Sequence, residues 1–236
     1  MKQNVAYGAS ERYLQGQGED YFAYQRSIAE SRGALLALKF ERYVKPGDCV
    51  LDFGCGGGYL LRALKCVKRI GVEINPAALS EAVRNGVECH AVLDAVADGI
   101  ADVVVSNHAL EHVPFPIEAL RQIKRKLKQR GIVVLCLPAD DWRTQRTYDP
   151  RDVNHHLHTW TPSLLGHTLG EAGFQVGAGD IRMLTHAWPP HVETLWRALP
   201  RAAFDLVCGL FAVAMKRRQI FAVVTNDLDH ARQSWS

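Results

Sequence analysis

The chain has 236 residues, of which 47% are hydrophobic and 22% charged, and its formal net charge is +3. That length suits one sizeable α/β domain, or a domain with an appended cap, and the composition is ordinary for a globular protein. The small net charge and the 8% aromatic content do not give the basic footprint of a general nucleic-acid binder. We therefore expect no nucleic-acid partner.

The cysteines and the N-terminal residues indicate the cellular compartment in which the protein is expected to work. The six cysteines are scattered, and no two of them form a C-x-x-C pair. Several fall within predicted strands or helices, where a cysteine behaves as a small apolar residue. The N-terminus is polar and shows no signal-peptide or transmembrane pattern. Together these features predict a reducing, cytoplasmic setting.

The N-terminal region divides into an arm and a helix. Residues 1–18 predict a mobile arm, and a helical pattern runs from residue 19 to residue 43, where Pro46 and Gly47 follow. The second half of this helix is apolar enough to dock on a sheet. We treat residues 1–44 as one segment, ahead of a core that spans residues 45–184.

Residues 50–59 predict a short apolar strand, a glycine turn and the start of a helix. Glycines in such a turn let backbone N–H groups and a helix N-terminus approach a ligand closely. The dinucleotide fingerprint fails at its sixth position, where Tyr59 or Leu61 stands, and no phosphate-loop lysine follows. The pattern that is present, Asp-x-Gly-x-Gly-x-Gly, consists of Asp52, Gly54, Gly56 and Gly58.

Strands and helices then alternate along the core. A second acid, Glu73, ends the second strand 21 positions after Asp52, about where an α/β nucleotide site places a carboxylate for the ribose hydroxyls. Continuous apolar strands alternating with helices predict a parallel sheet covered on both faces. The predicted strands are 49–53, 70–73, 87–92, 102–106, 132–137, 174–184 and 219–225, and the predicted core helices are 60–67, 76–85, 116–128 and 162–173.

Residues 185–218 interrupt the core before its last strand, and residues 219–236 complete the chain. The interruption predicts a short helix and then an apolar helix over 200–215, which is too short to span a bilayer. It could serve as a substrate cap, as a dimer face, or as a peripheral membrane contact with Lys216, Arg217 and Arg218 at its edge. We favour the cap or the dimer face, so the chain is expected to be a monomer or a homodimer.

The glycine turn, Glu73 and residues 107–114 (Asn-His-Ala-Leu-Glu-His-Val-Pro) resemble the motifs of class I S-adenosylmethionine-dependent methyltransferases. Within that class the similarity is to the broad group that includes small-molecule and glycan O-methyltransferases, and it covers roughly residues 45–185. The resemblance implies a Rossmann-like α/β fold with a seven-stranded, mostly parallel sheet. It also implies S-adenosylmethionine as cofactor and S-adenosylhomocysteine as product.

The resemblance also implies roles for individual residues. Asp52 would support the glycine turn near the methionine ammonium, and Glu73 would hold the ribose. Asp94, just after the third strand, would accept from the adenine amino group, although an exposed loop acid is the alternative interpretation. Asn107 would face the methionine end. The predicted cofactor-binding residues are Asp52, Gly54, Cys55, Gly56, Gly58, Glu73, Ile74, Asp94, Ala95 and Asn107.

Family members often carry an N-terminal segment that lies over the cofactor as a lid. By that resemblance Tyr13, Tyr21 and Arg26 are candidates to touch the substrate or the carboxylate of the cofactor. An aromatic face packed on the domain is the alternative.

The acceptor decides whether a general base is needed. A hydroxyl is too weak an acid to ionise alone near neutral pH, so a histidine within hydrogen-bond reach would help. His112 fits the Leu-Glu-His motif of the family, although it could instead be a histidine at a helix start that bonds backbone. His156 is the second candidate base, and a strand-like alternation would place it on the same face as His158, a candidate substrate contact.

A metal is the competing use of these histidines. The face of His156 and His158 could bind one with Asp152. By family resemblance, a metal-dependent catechol-type enzyme would carry an aspartate directly after the fourth strand, where this chain has Ser106 and Asn107. We therefore expect no metal. No Asn/Asp-Pro-Pro-aromatic motif follows that strand either, which argues against an amino-methylating nucleic-acid enzyme.

The sequence thus predicts O-methylation of a small-molecule or glycan acceptor. N- or C-methylation of another metabolite is the second enzymatic interpretation, and it would not require a histidine base. An interaction subunit that keeps the fold without catalysis is the third, and the intact glycines and acids of the turn argue against it.

Overall fold

A seven-stranded sheet organises the computed structural model, which describes residues 22–23, 26, 30, 32–139, 147–149, 152 and 155–226. The strand order is β3-β2-β1-β4-β5-β7-β6, and β7 runs antiparallel to both of its neighbours while the other pairs are parallel. The Rossmann-like, mostly parallel sheet predicted from the sequence is therefore confirmed. The strands are β1 Cys49–Phe53, β2 Lys68–Val72, β3 Glu88–His90, β4 Ala101–Asn107, β5 Leu127–Pro138, β6 Ile181–Thr185 and β7 Arg218–Thr225.

Helices connect the strands and cover both faces of the sheet. Residues 32–37 form the helical segment that we name α1. The start of α3 follows from its sequence: the Asn75 side chain accepts from the N–H groups of Ala77 and Ala78, and Pro76 occupies the first turn. The other helices are α2 Tyr59–Ala63, α3 Pro76–Arg84, α4 Pro116–Lys126, α5 Pro162–Glu171, α6 Val192–Ala198 and α7 Arg201–Ala214. Short 3-10 helices cover Glu41–Tyr43, Leu93–Ala95 and Leu110–His112.

The central strand β1 positions the site. Asp52 pairs with Gly71 of β2 on one side and with Val105 of β4 on the other. The chain order reverses between β1 and β4, and α/β proteins bind ligands at the carboxyl ends of the strands beside such a point. The ends of β1, β2 and β4 therefore form one edge, to which the glycine turn, Glu73 and Asn107 belong.

Three groups of buried apolar side chains hold the layers together. In the first group, Leu120 of α4 packs with the side chains on the face of the sheet that includes Leu51. In the second, Leu61 of α2 packs with those on the face that includes Val50. A small third cluster joins α1 to the helices between β6 and β7, and it consists of Leu35, Val192, Phe204 and Cys208. The N-terminal segment thus packs on the region that interrupts the core.

Several predicted boundaries need correction. The predicted helix 19–43 ends at residue 37, where a turn leads to a separate 3-10 helix. The predicted helix 60–67 ends at Ala63, because Leu64 adopts an extended conformation with ψ 139°. The predicted strand 174–184 begins only at Ile181, after a turn in which Gly179 has φ +92°. The second, third, fourth, fifth and seventh strands and the remaining helices shift at their ends but keep their predicted type.

Helix α7 leaves part of its apolar surface uncovered by the described residues. Leu206 and Leu210 are each 63% exposed and Val213 is 65% exposed. Within the described part of the chain, no helix is both long and apolar enough to cross a bilayer.

Candidate active site

The glycine turn after β1 adopts backbone conformations that favour glycine. Gly54, Gly56 and Gly58 have φ values of +77°, +53° and +75°, a region that L residues rarely adopt. A Cβ on Gly54 would lie 2.4 Å from the Cβ of Ala109, and one on Gly58 would lie 2.9 Å from Val87 Cγ2. A Cβ on Gly56 would meet no atom of the described residues within 4 Å. Gly54 and Gly58 thus serve packing, whereas Gly56 faces an open side of the turn.

Glu73 fixes this turn from the neighbouring strand. Its Oε2 accepts from the N–H of Gly56 at 2.9 Å, and its Oε1 accepts from the N–H of Asn75 at 2.8 Å. Burial raises the pKa of the Glu73 carboxyl, while the backbone N–H donors of Asn75, Gly56 and Ile74 act in the opposite direction. Each carboxylate oxygen keeps a second lone pair, so the same group could accept from a pair of ribose hydroxyls.

Asp52 lies beneath the turn as a buried acid. Its side chain is 2% exposed, and its Oδ1 has no hydrogen-bond partner among the described residues. Burial and then the negative charge of Glu73 raise the pKa of Asp52 to about 8. A buried carboxylate oxygen without a donor is costly, and an ammonium group from a ligand would satisfy it. This orphaned oxygen and the open side of Gly56 fit an amino-acid cofactor that lies along the turn.

The remaining predicted cofactor contacts differ in their surroundings. Asp94 is on the surface with its side chain 61% exposed, and its Oδ1 pairs with Arg125 at 3.1 Å. Ala95 is exposed in the same 3-10 helix, and Ile74 is half-buried beside Glu73. The Sγ of Cys55 lies 3.7 Å from Cys89 Sγ, so the thiol of Cys55 turns toward β3. Recognition of adenine by Asp94 remains a prediction.

The carboxyl end of β4 carries a polar cluster that the sequence analysis did not assign. The Oδ1 of Asn107 accepts from Lys39 Nζ at 3.1 Å, and the same ammonium donates to Gln219 Oε1 at 3.1 Å and lies 3.6 Å from Cys136 Sγ. His186 is beside this cluster, and burial followed by the charges of Lys39 and His108 lowers its pKa to about 4. Lys39 and Gln219 are 180 positions apart, so no local pattern could have joined them.

His108 follows Asn107 in a strained conformation with φ +55°. Its Nε2 is 3.2 Å from Gln219 Nε2, and its Nδ1 is 3.5 Å from Glu111 Oε1. Burial acts to lower the pKa of His108, but contacts with Cys136 and Glu111 outweigh it and raise the value to about 9. The raised pKa favours an imidazolium that pairs with Glu111, whereas the contact with the Gln219 amide nitrogen requires a neutral Nε2 as acceptor, so the two do not hold at once.

His112 and His156 lie together, whereas His158 takes a different direction. The rings of His112 and His156 are 5.0 Å apart in an edge-to-face arrangement. The Nε2 of His158 lies 2.8 Å from the carbonyl oxygen of Val113. The expectation that His156 and His158 share a face of a strand is wrong, because residues 155–160 form no strand and the chain bends at Leu157. Burial lowers the pKa of His112, which favours its neutral form.

The predicted lid contacts are described only in part. Tyr13 and Tyr21 lie outside the described residues. Arg26 is exposed, and its Nη2 lies 3.4 Å from Glu81 Oε1 of α3. The same Glu81 oxygen accepts from the Tyr59 hydroxyl at 2.9 Å. Arg26 therefore contacts the outer side of α2 and α3 here, and its contact with a substrate or a cofactor remains a prediction.

The sheet order and the turn with its two acids define the class: this is the fold of class I S-adenosylmethionine-dependent methyltransferases. Residues 23–178 match the family described as "Methyltransferase domain", and the chain belongs to that family. Its cofactor is S-adenosylmethionine, which the orphaned Asp52 oxygen and the Glu73 carboxylate fit.

Individual relatives cover less of the chain. The ribosomal protein L11 methyltransferase of Burkholderia lata is 44% identical over 75 residues, which are 28% of this chain and 25% of that protein. The Thermosipho africanus protein of the same name is 36% identical over 112 residues, which are 42% of each chain. The chain thus spans a quarter to less than half of the length of these relatives. A Haemonchus contortus phosphoethanolamine N-methyltransferase 2, solved with S-adenosylmethionine, shares the fold with a TM-score of 0.56 and 18% identity over 82% of this chain and 52% of that one.

Proposed function

We propose that the domain transfers the methyl group of S-adenosylmethionine to a hydroxyl of a small molecule or a glycan. The observation that carries the proposal is the His112–His156 pair, whose rings are 5.0 Å apart just beyond β4. A hydroxyl must be deprotonated as it attacks, whereas an amine in its neutral form attacks with its free lone pair and needs a base less. Two imidazoles on the acceptor side of a methyltransferase site therefore favour an oxygen acceptor.

The chemistry is an in-line displacement. The acceptor O–H bond breaks, its proton passes to a histidine, and the oxygen forms a bond to the methyl carbon. The carbon–sulfur bond breaks with its electron pair staying on sulfur, which leaves neutral S-adenosylhomocysteine. Because positive charge on sulfur disappears in this step, the protein contributes mainly position and exclusion of water.

The helices between β6 and β7 support a second part of the proposal, that residues 185–218 and the N-terminal segment form a cap over the acceptor. Leu35 of α1 packs with Val192 and Phe204, and Arg32 Nε pairs with Glu193 Oε1 at 2.8 Å. Lys39, just after α1, lies 5.5 Å from the ring centroid of Trp188 in the same region. A cap held by such contacts would keep water from the displacement.

N-methylation of a metabolite is the runner-up. The Haemonchus structure is named for it, and the L11 relatives are named for a ribosomal protein acceptor. A non-catalytic interaction subunit is a third reading, and the intact turn with Asp52 and Glu73 argues against it. The six free cysteines support a reducing, cytoplasmic setting.

The test is release of S-adenosylhomocysteine with matched panels of hydroxyl and amine acceptors. His112→Ala and His156→Ala should lose turnover while calorimetry shows unchanged affinity for S-adenosylhomocysteine. His90→Ala is the matched control, because His90 pairs with Glu88 on the surface at 3.2 Å. Full activity in both site variants, or turnover with amines alone, would contradict O-methylation assisted by these histidines. Turnover seen only in an obligate complex would favour the interaction subunit.

A further inference from the structure

Glu111 is a buried carboxylate that lacks hydrogen-bond donors among the described residues and has His108 as its nearest basic neighbour there. Its side chain is 0% exposed, and neither Oε1 nor Oε2 has a hydrogen-bond partner among the described residues. The nearest ring nitrogens are His108 Nδ1 at 3.5 Å and His112 Nε2 at 4.0 Å from Oε1, which are ion-pair distances rather than hydrogen bonds. An ionised carboxylate is costly to bury unless a cation pairs with it closely.

The donor atoms around Glu111 match the ligand set of a metal. One atom each from Glu111, His112 and His156 lies within 4.8 Å of the others. Ligand atoms about 2.1 Å from a tetrahedral ion are about 3.4 Å apart, so a modest inward movement would close the set. We propose that Glu111, His112 and His156 bind a divalent first-row transition-metal ion.

The tautomer of His112 suits this role. Its Nδ1 lies 3.4 Å from the carbonyl oxygen of His155, and its Nε2 is the nitrogen nearer Glu111. A histidine that ligates a metal commonly directs its other nitrogen to a backbone carbonyl, which fixes the tautomer and the ring. His112 therefore has the second contact that a ligand needs.

Backbone hydrogen bonds hold the two parts of the site together independently of any ion. Glu111 and His112 belong to the 3-10 helix Leu110–His112, while His156 comes from the connection between β5 and α5. The N–H groups of Leu157 and His158 both approach the carbonyl oxygen of Glu111, at 2.9 and 3.2 Å. The connection is thus fastened to the 3-10 helix beside the ligands, which preorganises the site.

Three protein ligands define the type of ion and its use. A histidine-rich set with one carboxylate suits zinc, manganese or iron(II), and the three ligands found among the described residues would leave a position open, as in catalytic rather than structural sites. The site departs from the expectation of no metal, because Glu111 rather than an aspartate next to β4 supplies the charge. This inference rests on the O-methylation part of the proposed function. With the ion bound, His112 and His156 would be ligands rather than bases, and the ion would lower the pKa of an acceptor hydroxyl at the open position, whose proton passes to solvent.

The test measures binding directly. Chelator-treated, dialysed protein is titrated with Mn²⁺, followed by electron paramagnetic resonance, and with Zn²⁺ against a chromophoric chelator. Wild type should bind one equivalent, and His156→Gln and Glu111→Gln should each weaken binding by at least about 100-fold, since loss of an outer contact to a ligand alone typically costs about 10–100-fold. His90→Ala should bind as wild type does, because its surface pair with Glu88 lies outside the site.

The outcomes separate this site from the proposed function. Should Glu111→Gln fail to fold, His156→Gln, whose side chain is less buried, decides alone. If wild type binds neither ion, or if His156→Gln binds as tightly as wild type, the metal site is wrong and His108 is the counter-ion of Glu111. Metal binding without methylation of any hydroxyl acceptor supports the site and overturns the O-methylation proposal.

Discussion

Gly56→Ala and Gly58→Ala separate the binding role of the glycine turn from its packing role. Both residues have positive φ, so alanine costs each about 1 kcal/mol after the gain in the unfolded state is counted. At Gly58 the new Cβ would also lie 2.9 Å from Val87 Cγ2 and 3.2 Å from Ala82 Cα, and overpacking of that kind brings the total to roughly 2–4 kcal/mol. At Gly56 the new Cβ enters space that the described residues leave open within 4 Å.

The two variants should therefore rank differently in two assays. In thermal unfolding, Gly56→Ala should lower Tm by roughly 2–4 °C and Gly58→Ala by roughly 5–15 °C. In calorimetric titration with S-adenosylhomocysteine, Gly56→Ala should lose at least about tenfold in affinity, ~1.4 kcal/mol, because its methyl group occupies the approach of the cofactor. Gly58→Ala, measured below its Tm, should stay within about threefold of wild type.

One result would refute this reasoning directly. If Gly56→Ala binds S-adenosylhomocysteine as tightly as wild type, the open side of the turn does not face the cofactor. If Gly58→Ala unfolds at the same temperature as Gly56→Ala, Val87 and Ala82 yield to the new methyl group and the packing argument fails.

Three further predictions concern buried groups. Because the pKa of Asp52 is raised to about 8, the folded chain keeps a proton that the unfolded chain loses above about pH 4. The stability of wild type relative to Asp52→Asn should therefore fall as pH rises from about 4 to 8. A Tm difference between the two that does not change from about pH 5 to pH 8 would contradict this. Glu73→Gln should leave one backbone N–H facing an amide NH₂, which lowers the free energy of unfolding by about 1–3 kcal/mol. In calorimetry its affinity for S-adenosylhomocysteine should fall at least about tenfold. Unchanged affinity would mean that Glu73 does not belong to the cofactor site. Leu120→Ala, at 0% exposure, should cost about 2–5 kcal/mol in chemical denaturation, and its control Leu210→Ala, at 63% exposure, less than about 0.5 kcal/mol; equal losses would contradict the assigned core.

The parts of the site that share one strand and its turn could be predicted from the sequence. Asp52 and the three glycines follow each other within seven positions, so their spacing carries the geometry directly. Glu73 could be placed because β2 lies beside β1 and ends at the same edge. In each case the local pattern and the fold class were sufficient, because parallel neighbours align their carboxyl ends.

The cluster around Lys39 could not be predicted in this way. Lys39 meets Asn107 and Gln219 only because β7 inserts beside β5 and α1 packs across the same end of the sheet. Asn107 stands in a motif, but Lys39 and Gln219 do not, and a lysine at the end of a helix is usually solvated. Their meeting depends on tertiary topology that periodicity does not contain.

The prediction that His156 and His158 share one face was wrong for a local reason. Alternation predicts that His156 and His158 point the same way, but the chain bends at Leu157 between them, where the N–H groups of Leu157 and His158 both approach the carbonyl oxygen of Glu111. His156 then joins His112, and His158 turns to Val113. The shared face was wrong because alternation requires an extended backbone, which the bend at Leu157 removes, and the roles of His156 and His158 at the site stay predictions.

Asp52 and Glu111 are buried acids in similar positions, close to the ends of the neighbouring strands β1 and β4. Each is a buried acid near the carboxyl end of a central parallel strand, with at least one oxygen that lacks a donor among the described residues. Such groups destabilise the folded chain unless a ligand brings positive charge, so the energy is recovered on binding rather than on folding. On our proposals, the ammonium of the cofactor would pair with Asp52 and the metal ion with Glu111. The acceptor would then lie between two cations that the fold alone does not supply, with the methyl donor toward β1 and the metal toward the end of β4.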